Sequence, residues 1–194
     1  MIAELAWLVA LAIFIVLPVS WTFDVRGVRL GISHDHIHGN RPANRGNVYL
    51  ERWIIWLPGV SFLGEDKLWS PRPRFVSYTL RLHKFHRADE ESALHDHPWW
   101  FITFPLQFYI ERYWNPSLWE YCYRVVKPFR FHFRAATFRH TVVGDLFPAY
   151  TFVLTGPKSN RWGFWPNEDC HVYWRDWFRQ TGTQPASGTV GDDV

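Results

Sequence analysis

From Leu5 to Phe23 the chain carries 19 consecutive uncharged residues, LAWLVALAIFIVLPVSWTF. No polar face recurs in this run at helical spacing, and about 20 apolar residues match the thickness of a bilayer core. The pattern predicts one N-terminal apolar helix over residues 1–23, serving as a single-pass membrane anchor. Trp7 and Trp21 stand near its two ends, where indole rings favour the interface. Only Glu4 precedes the run, and Val19, Ser20 and Trp21 make no small-x-small cleavage pattern, which argues against a removed signal peptide. Arg26, Arg29, Arg41 and Arg45 all follow the run and no Lys or Arg precedes it. The positive-inside rule then places the C-terminal domain in the cytoplasm.

After Asp24 the apolar run ends. Residues 24–47 are rich in Gly, Asn, Arg and His and read as a linker arm. Val48 to Leu57 fits a strand or a short helix. Pro58 to Arg74 holds three prolines and two glycines and reads as loop. Phe75 to Phe85 then alternates cleanly: Val76, Tyr78, Leu80 and Leu82 face one way, Ser77, Thr79, Arg81 and His83 the other. Trp99 to Glu111 is strongly β-prone with an interruption at Pro105. Further short strands are predicted at 119–126, 129–134, 139–143, 150–155, 161–165 and 170–174. Many short strands at such intervals argue for an antiparallel sandwich or barrel over residues 48–178. From Thr181 the chain has almost nothing to bury, so 179–194 is expected to be a disordered tail.

Composition sharpens this picture. Of the 194 residues, 19% are aromatic, including 13 Trp, and aromatic side chains favour strands and line pockets. So many indoles could stack on bases, but 21 Lys+Arg against 18 Asp+Glu leave a net charge of only +3, which speaks against a nucleic-acid partner. Two cysteines cannot build a disulfide scaffold, and in a reducing compartment both would be free thiols. No Ser-His-Asp arrangement, P-loop or dinucleotide fingerprint is present.

The histidines carry the chemistry. In His95-Asp96-His97-Pro98, the two imidazoles sit at i and i+2 of an extended segment and so share a face. Two rings at that spacing can converge on one metal. His140 opens a predicted strand 43 residues later, a natural distance for an antiparallel return. Three neutral imidazoles suit Fe, Zn, Ni, Cu or Mn. The same pair would equally serve as hydrogen-bonding groups near a turn. His83, with the parity of Thr79 and Arg81, is a candidate fourth ligand or outer support; a half-exposed strand histidine is the alternative. Arg161 is a candidate to bind an anionic substrate and equally a partner for an acidic side chain; Arg134 and Arg139 are weaker candidates. Trp99 and Trp100 point to opposite faces, so one of them lines any cavity. Asp96 faces away from the two histidines and is expected to cap a turn. His34-Asp35-His36-Ile37-His38 is a second cluster without a recognisable scaffold, and is read as adventitious.

Taken together, LRLHKF (80–85), LHDHPWWF (94–101), FYIER (108–112), Arg134-Ala135-Ala136 before His140, TFVLTGP (151–157), RWGF (161–164) and WRDWF (174–178) resemble small cupin-like proteins of bacteria and their phages. The resemblance spans roughly residues 48–178, and LHDHPW and RWGF are its most specific parts. It implies an antiparallel jelly-roll barrel, one divalent transition metal held by His95, His97 and His140, and a small-molecule ligand inside. The chain departs from the cupin pattern twice. Phe101 and Ile102 stand where a Glu ligand is usual, and Ala135-Ala136-Thr137 replaces a Pro-x-Gly turn. Glu111 lies 14 residues beyond His97, about 45 Å along a straight strand; a bend at Pro105 would shorten that distance, but Glu111 is not expected simply to substitute. Water or substrate would complete the shell. Three-His iron sites occur in thiol dioxygenases, which resemble cupins in fold. The functional expectation is therefore a membrane-anchored, metal-dependent protein, of dioxygenase or isomerase type if it is an enzyme. The alternative is a non-catalytic ligand-binding or phage or membrane assembly module, oligomeric, with a degenerate site.

Overall fold

The structure, a computed structural model, describes residues 20–25, 28–38, 47–63, 69–89, 93–144 and 146–181. In chain order they form strands β1 (Trp21–Val25), β2 (Val28–His38), β3 (Val48–Leu63), β4 (Trp69–Phe85), β5 (Leu94–His95), β6 (Phe101–Pro105), β7 (Tyr109–Asn115), β8 (Glu120–Val126), β9 (His132–Arg134), β10 (His140–Val143), β11 (Ala149–Thr155), β12 (Gly163–Trp165) and β13 (Val172–Tyr173), then helix α1 (Trp174–Thr181). Two antiparallel sheets result. One runs β1-β2-β3-β4-β11-β6-β9, the other β13-β12-β5-β10-β7-β8. No strand pairing among the described residues joins them, so the expected jelly-roll is realised as a two-sheet sandwich and not as a closed barrel.

Alternation dictates the layers. β6 and β11 bury every second residue, which is the signature of a strand with one face on a core. Hydrophobic packing is concentrated at two places. Tyr109, Val126 and Val142 pack with Phe85 and Phe147 on one side. On the other, Ala93, Phe164, Trp174 and Phe178 form a cluster joined by Trp162, Tyr173 and Trp177. Trp174 and Phe178 are one helical turn apart, so α1 lays one face on β12 and β13.

Several expectations are corrected. The helix of the described residues is C-terminal and eight residues long, and none of their helices is long and apolar enough to cross a membrane. Trp21, Thr22 and Phe23, which close the apolar run, lie in β1. The N-terminal anchor helix and the single-pass placement with a cytoplasmic domain are therefore not supported; residues 1–19 of that run lie outside the described residues. Much of the stretch read as an irregular arm is strand: β2 pairs β3 from Gly31↔Trp56 to His38↔Val48. The stretch from Pro58 to Arg74, read as loop, belongs largely to the long β3–β4 hairpin. β2 pairs β3 only as far as Trp56, so Pro58 takes no part in that ladder. The tail from 182 onward lies outside the described residues.

Candidate metal centre

β5 places His95 beside β10, where it is paired directly with His140, and His97 follows two residues on. The three imidazole centroids form a triangle with sides of 5.1 Å. His97 Nε2 and His140 Nε2 face each other at 2.8 Å. One candidate ligand atom from each of the three residues lies within 4.8 Å of the others. The sequence-predicted triad is thus brought together. The rings are buried among other rings: Phe101 packs on His97 and His140, Phe138 on His140, and Phe164 on His95. Phe101, where a carboxylate ligand was sought, is part of this wall.

Burial holds the first two imidazoles neutral. It lowers the pKa of His95 to about 4, with nearby Asp89 and Glu111 only partly offsetting it. His97 is pushed well below the usual range, by burial first and then by the neighbouring histidines. Neutral imidazole is the form that binds metal.

Four side chains fix this geometry, and sequence reasoning missed the role of each. Glu111, on β7, lies opposite Val142 of β10. Its Oε1 is 3.2 Å from His140 Nδ1, which has no well-aligned hydrogen bond. Burial alone would raise the Glu111 pKa, but His140, Arg134 and Arg124 together hold it well below the usual carboxylate range. Arg134 donates to its Oε2 at 3.1 Å and Arg124 at 2.8 Å. The 45 Å estimate failed because the strand does not run straight: the chain leaves β6 at Pro105 and returns as β7 in the other sheet. Asp96 is buried and accepts from Gly163 N at 2.7 Å, Asn160 Nδ2 at 3.2 Å and Trp165 Nε1 at 3.3 Å. It therefore ties the LHDHPW turn to the RWGF block, 67 residues away, rather than capping a local turn. Burial raises its pKa, against these hydrogen bonds. Gly163 is required where it stands, because a Cβ would lie 2.2 Å from Val172 O across β13. Asn160 also donates to His97 O at 3.0 Å. Asp89 accepts from Val142 N at 2.6 Å and from Thr141 Oγ1 at 3.0 Å, extending the edge of β10 where β5 has ended. A carboxylate in the connection after β4 reads only as a polar turn in sequence, which is why Asp89 gave no signal.

The triad opens on a cavity of about 250 Å³ between the two sheets. Trp99 and His83 are among the residues that line it. His83 is half-buried, its Nε2 atom is buried and unpartnered, and its pKa is held well below the usual range by burial and by Arg81 and Arg52. Arg161 does not reach the cavity: it is exposed and stacks on Tyr173, with its guanidinium carbon 4.2 Å from the ring centroid. Arg134 is taken up by Glu111, and Arg139 stacks on Trp165 and donates to Glu168 O. The cavity's cations are instead Arg52 and Arg81, from β3 and β4. Arg52 is held by Asp35 at 3.2 Å; Arg81 donates to Thr79 Oγ1 at 2.7 Å and lies over the Trp99 ring. Trp100 points the other way, over Gly156.

The donor set fits a transition metal. Three imidazoles converge, their burial favours the neutral form, and the carboxylate behind His140 is the kind of partner that sets a ligating ring's tautomer. No family model matches this chain, and no curated protein matches it. Among solved structures, it is similar to an oxalate oxidase, with 14% identity over 55% of this chain and 57% of that one and a TM-score of 0.36. It is also similar to FeII HppE, with 9% identity over 70% and 64% and a TM-score of 0.41. A third likeness is to a cupin domain from Bordetella pertussis Tohama I, with 14% identity over 53% and 93% and a TM-score of 0.32. The chain spans less than two thirds of the length of the first two. One of these neighbours is a cupin domain by name, and the chemistry of the centre rests on this chain's own residues.

Proposed function

We propose that this chain is a cupin-like, metal-dependent enzyme that holds one divalent transition metal (Fe, Zn, Ni or Mn) through His95, His97 and His140 and acts on a small anionic molecule. The observation that carries the reading is the convergence of three imidazoles, one buried and two half-buried, on a cavity that also presents two arginines. When bound, the metal supplies Lewis-acid polarisation of a substrate oxygen or activation of a small co-reactant. Glu111 keeps His140 oriented with Nε2 inward. Arg81 and Arg52 give a carboxylate-bearing substrate two charged anchors, and burial strengthens such bonds. Trp99, fixed under the Arg81 guanidinium, offers a flat wall against which an apolar substrate body can lie. His83 presents the unpartnered Nε2 as a hydrogen-bonding group for the ligand.

Metal content of the full chain, measured by mass spectrometry beside the His95→Ala and His140→Ala variants, tests this. One equivalent of transition metal should disappear in both variants. Metal that survives both substitutions unchanged would sink the reading. Binding of small carboxylates, followed by calorimetry, should weaken about tenfold or more in Arg81→Gln; equal affinity would remove the anionic-substrate assignment.

A further inference from the structure

The second histidine cluster is built into the sheet that backs the cavity. Across β2, β3 and β4, His36 lies opposite Glu51, and Glu51 opposite Lys84. In the neighbouring row, Asp35, Arg52 and His83, the last two line the cavity. Successive strand residues point to opposite faces, so His34, His36 and Glu51 share the outer face of the same sheet. His34 Nε2 is 3.1 Å from Glu51 Oε1, and His36 Nε2 is 3.4 Å from the same oxygen. One donor atom from each of the three lies within 4.8 Å of the others.

The geometry points to a second divalent-metal site, of zinc type, on this outer face, with His34, His36 and Glu51 as ligands and water in the remaining position. It stands independently of the metal centre in the cavity. With metal–ligand bonds of about 2.0–2.1 Å, neighbouring ligand atoms of a tetrahedral site are about 3.3–3.4 Å apart. The two contacts to Oε1, at 3.1 and 3.4 Å, already have that length. The remaining edge closes by rotation of His36, the most exposed of the three, with a side chain 42% accessible. His34 is preset: its ring stacks on Trp53 at 4.8 Å with an interplanar angle of 11°. Lys84 and His86 do not compete for Oε1. Both meet the other oxygen, Oε2, at 3.4 and 3.5 Å, so the carboxylate can bind a metal through one oxygen and keep its ion pairs through the other. Two imidazoles and one carboxylate with an open position form a zinc donor set.

The test is titration of the chelator-stripped full chain with Zn²⁺ by calorimetry, repeated with Co²⁺ to read ligand-field absorption. The wild type should take up two equivalents. His36→Gln and Glu51→Gln should each lose one of them, and His140→Ala should lose the other. In His140→Ala the remaining equivalent should vanish when Glu51→Gln is added. If both outer variants, shown folded by circular dichroism, bind as many equivalents as the wild type, the site does not exist. If the outer variants lose an equivalent and His140→Ala does not, the outer site stands and the reading of the cavity centre fails.

Discussion

The chain contains the triplet His-Asp-His twice, at 34–36 and at 95–97, and the two copies have opposite surroundings. Each offers two imidazoles on one side of an extended segment. What lies across the strand decides the rest. His95 is paired with His140, so the inner cluster is all imidazole and walled by aromatic rings, with its one carboxylate behind a ligand. His36 is paired with Glu51, so the outer cluster carries a carboxylate at its centre, with Lys84 and His86 beside it. The middle aspartates also diverge. Asp96 is consumed by three hydrogen-bond donors of the RWGF block and its flank, whereas Asp35 meets Arg52, its cross-strand partner on the cavity side of the sheet. Identical local sequence therefore gives a rigid, desolvated centre in one place and a half-open one in the other.

Neutralising the two central carboxylates should separate these regimes most strongly. Glu111 is buried with Arg134, and removing one partner of a buried pair leaves an uncompensated charge. Glu111→Gln should cost about 3–5 kcal/mol in denaturant unfolding, and the surviving folded protein should bind metal about 10–100-fold more weakly at the inner centre. Glu51→Gln, made in a more accessible network, should cost no more than about 1 kcal/mol. Equal costs for the two substitutions would erase the distinction between the clusters.

The contrast between the aspartates gives the next effect. All three groups on Asp96 are N–H donors, and only an ionised carboxylate accepts at both oxygens. In Asp96→Asn one amide donor must face another donor, which should cost about 1–3 kcal/mol and loosen His97 along with the RWGF block. A thermal melt that matches the wild type, with unchanged metal content, would show that this anchor is dispensable.

Much of the inner centre was legible because its signals are local. The spacing of His95 and His97, and the strand opened by His140, need only the two-residue period of a strand. The strands at 119–126, 139–143 and 150–155 followed from the same period. What escaped was long-range. Contour length counts against Glu111 and Pro105 marks a bend, but the change of sheet after Pro105 that sets its place is reported by no spacing. Arg52 and Arg81 were passed over for Arg161 because proximity to a motif was taken for proximity to the cavity. Val28, Leu30 and Ile32 alternate ahead of His34, His36 and His38, so β2 was written in the sequence. Its Gly, Arg and Asn-rich flanks hid that alternation and made the second cluster look unsupported. The apolar run misled in the other direction: length and hydropathy argue for a helix, but they do not exclude the strand that Trp21 to Phe23 join.

The smallest expected effect concerns the link between the two faces. Asp35 sits between the outer ligands His34 and His36, yet its carboxylate is 3.2 Å from Arg52 on the cavity side. Asp35→Asn keeps the shape and removes one negative charge beside a cavity cation. Metal stoichiometry at both clusters should stay at the wild-type value, since neither donor set is touched. Affinity of the cavity for a small carboxylate should rise by a few-fold at low ionic strength, and the gain should shrink as salt is added. A fall in carboxylate affinity would mean that Asp35 matters by aiming Arg52 rather than by offsetting its charge. Loss of the outer metal in the same variant would mean that the register of β2 against β3, and not the ligands alone, holds that cluster together.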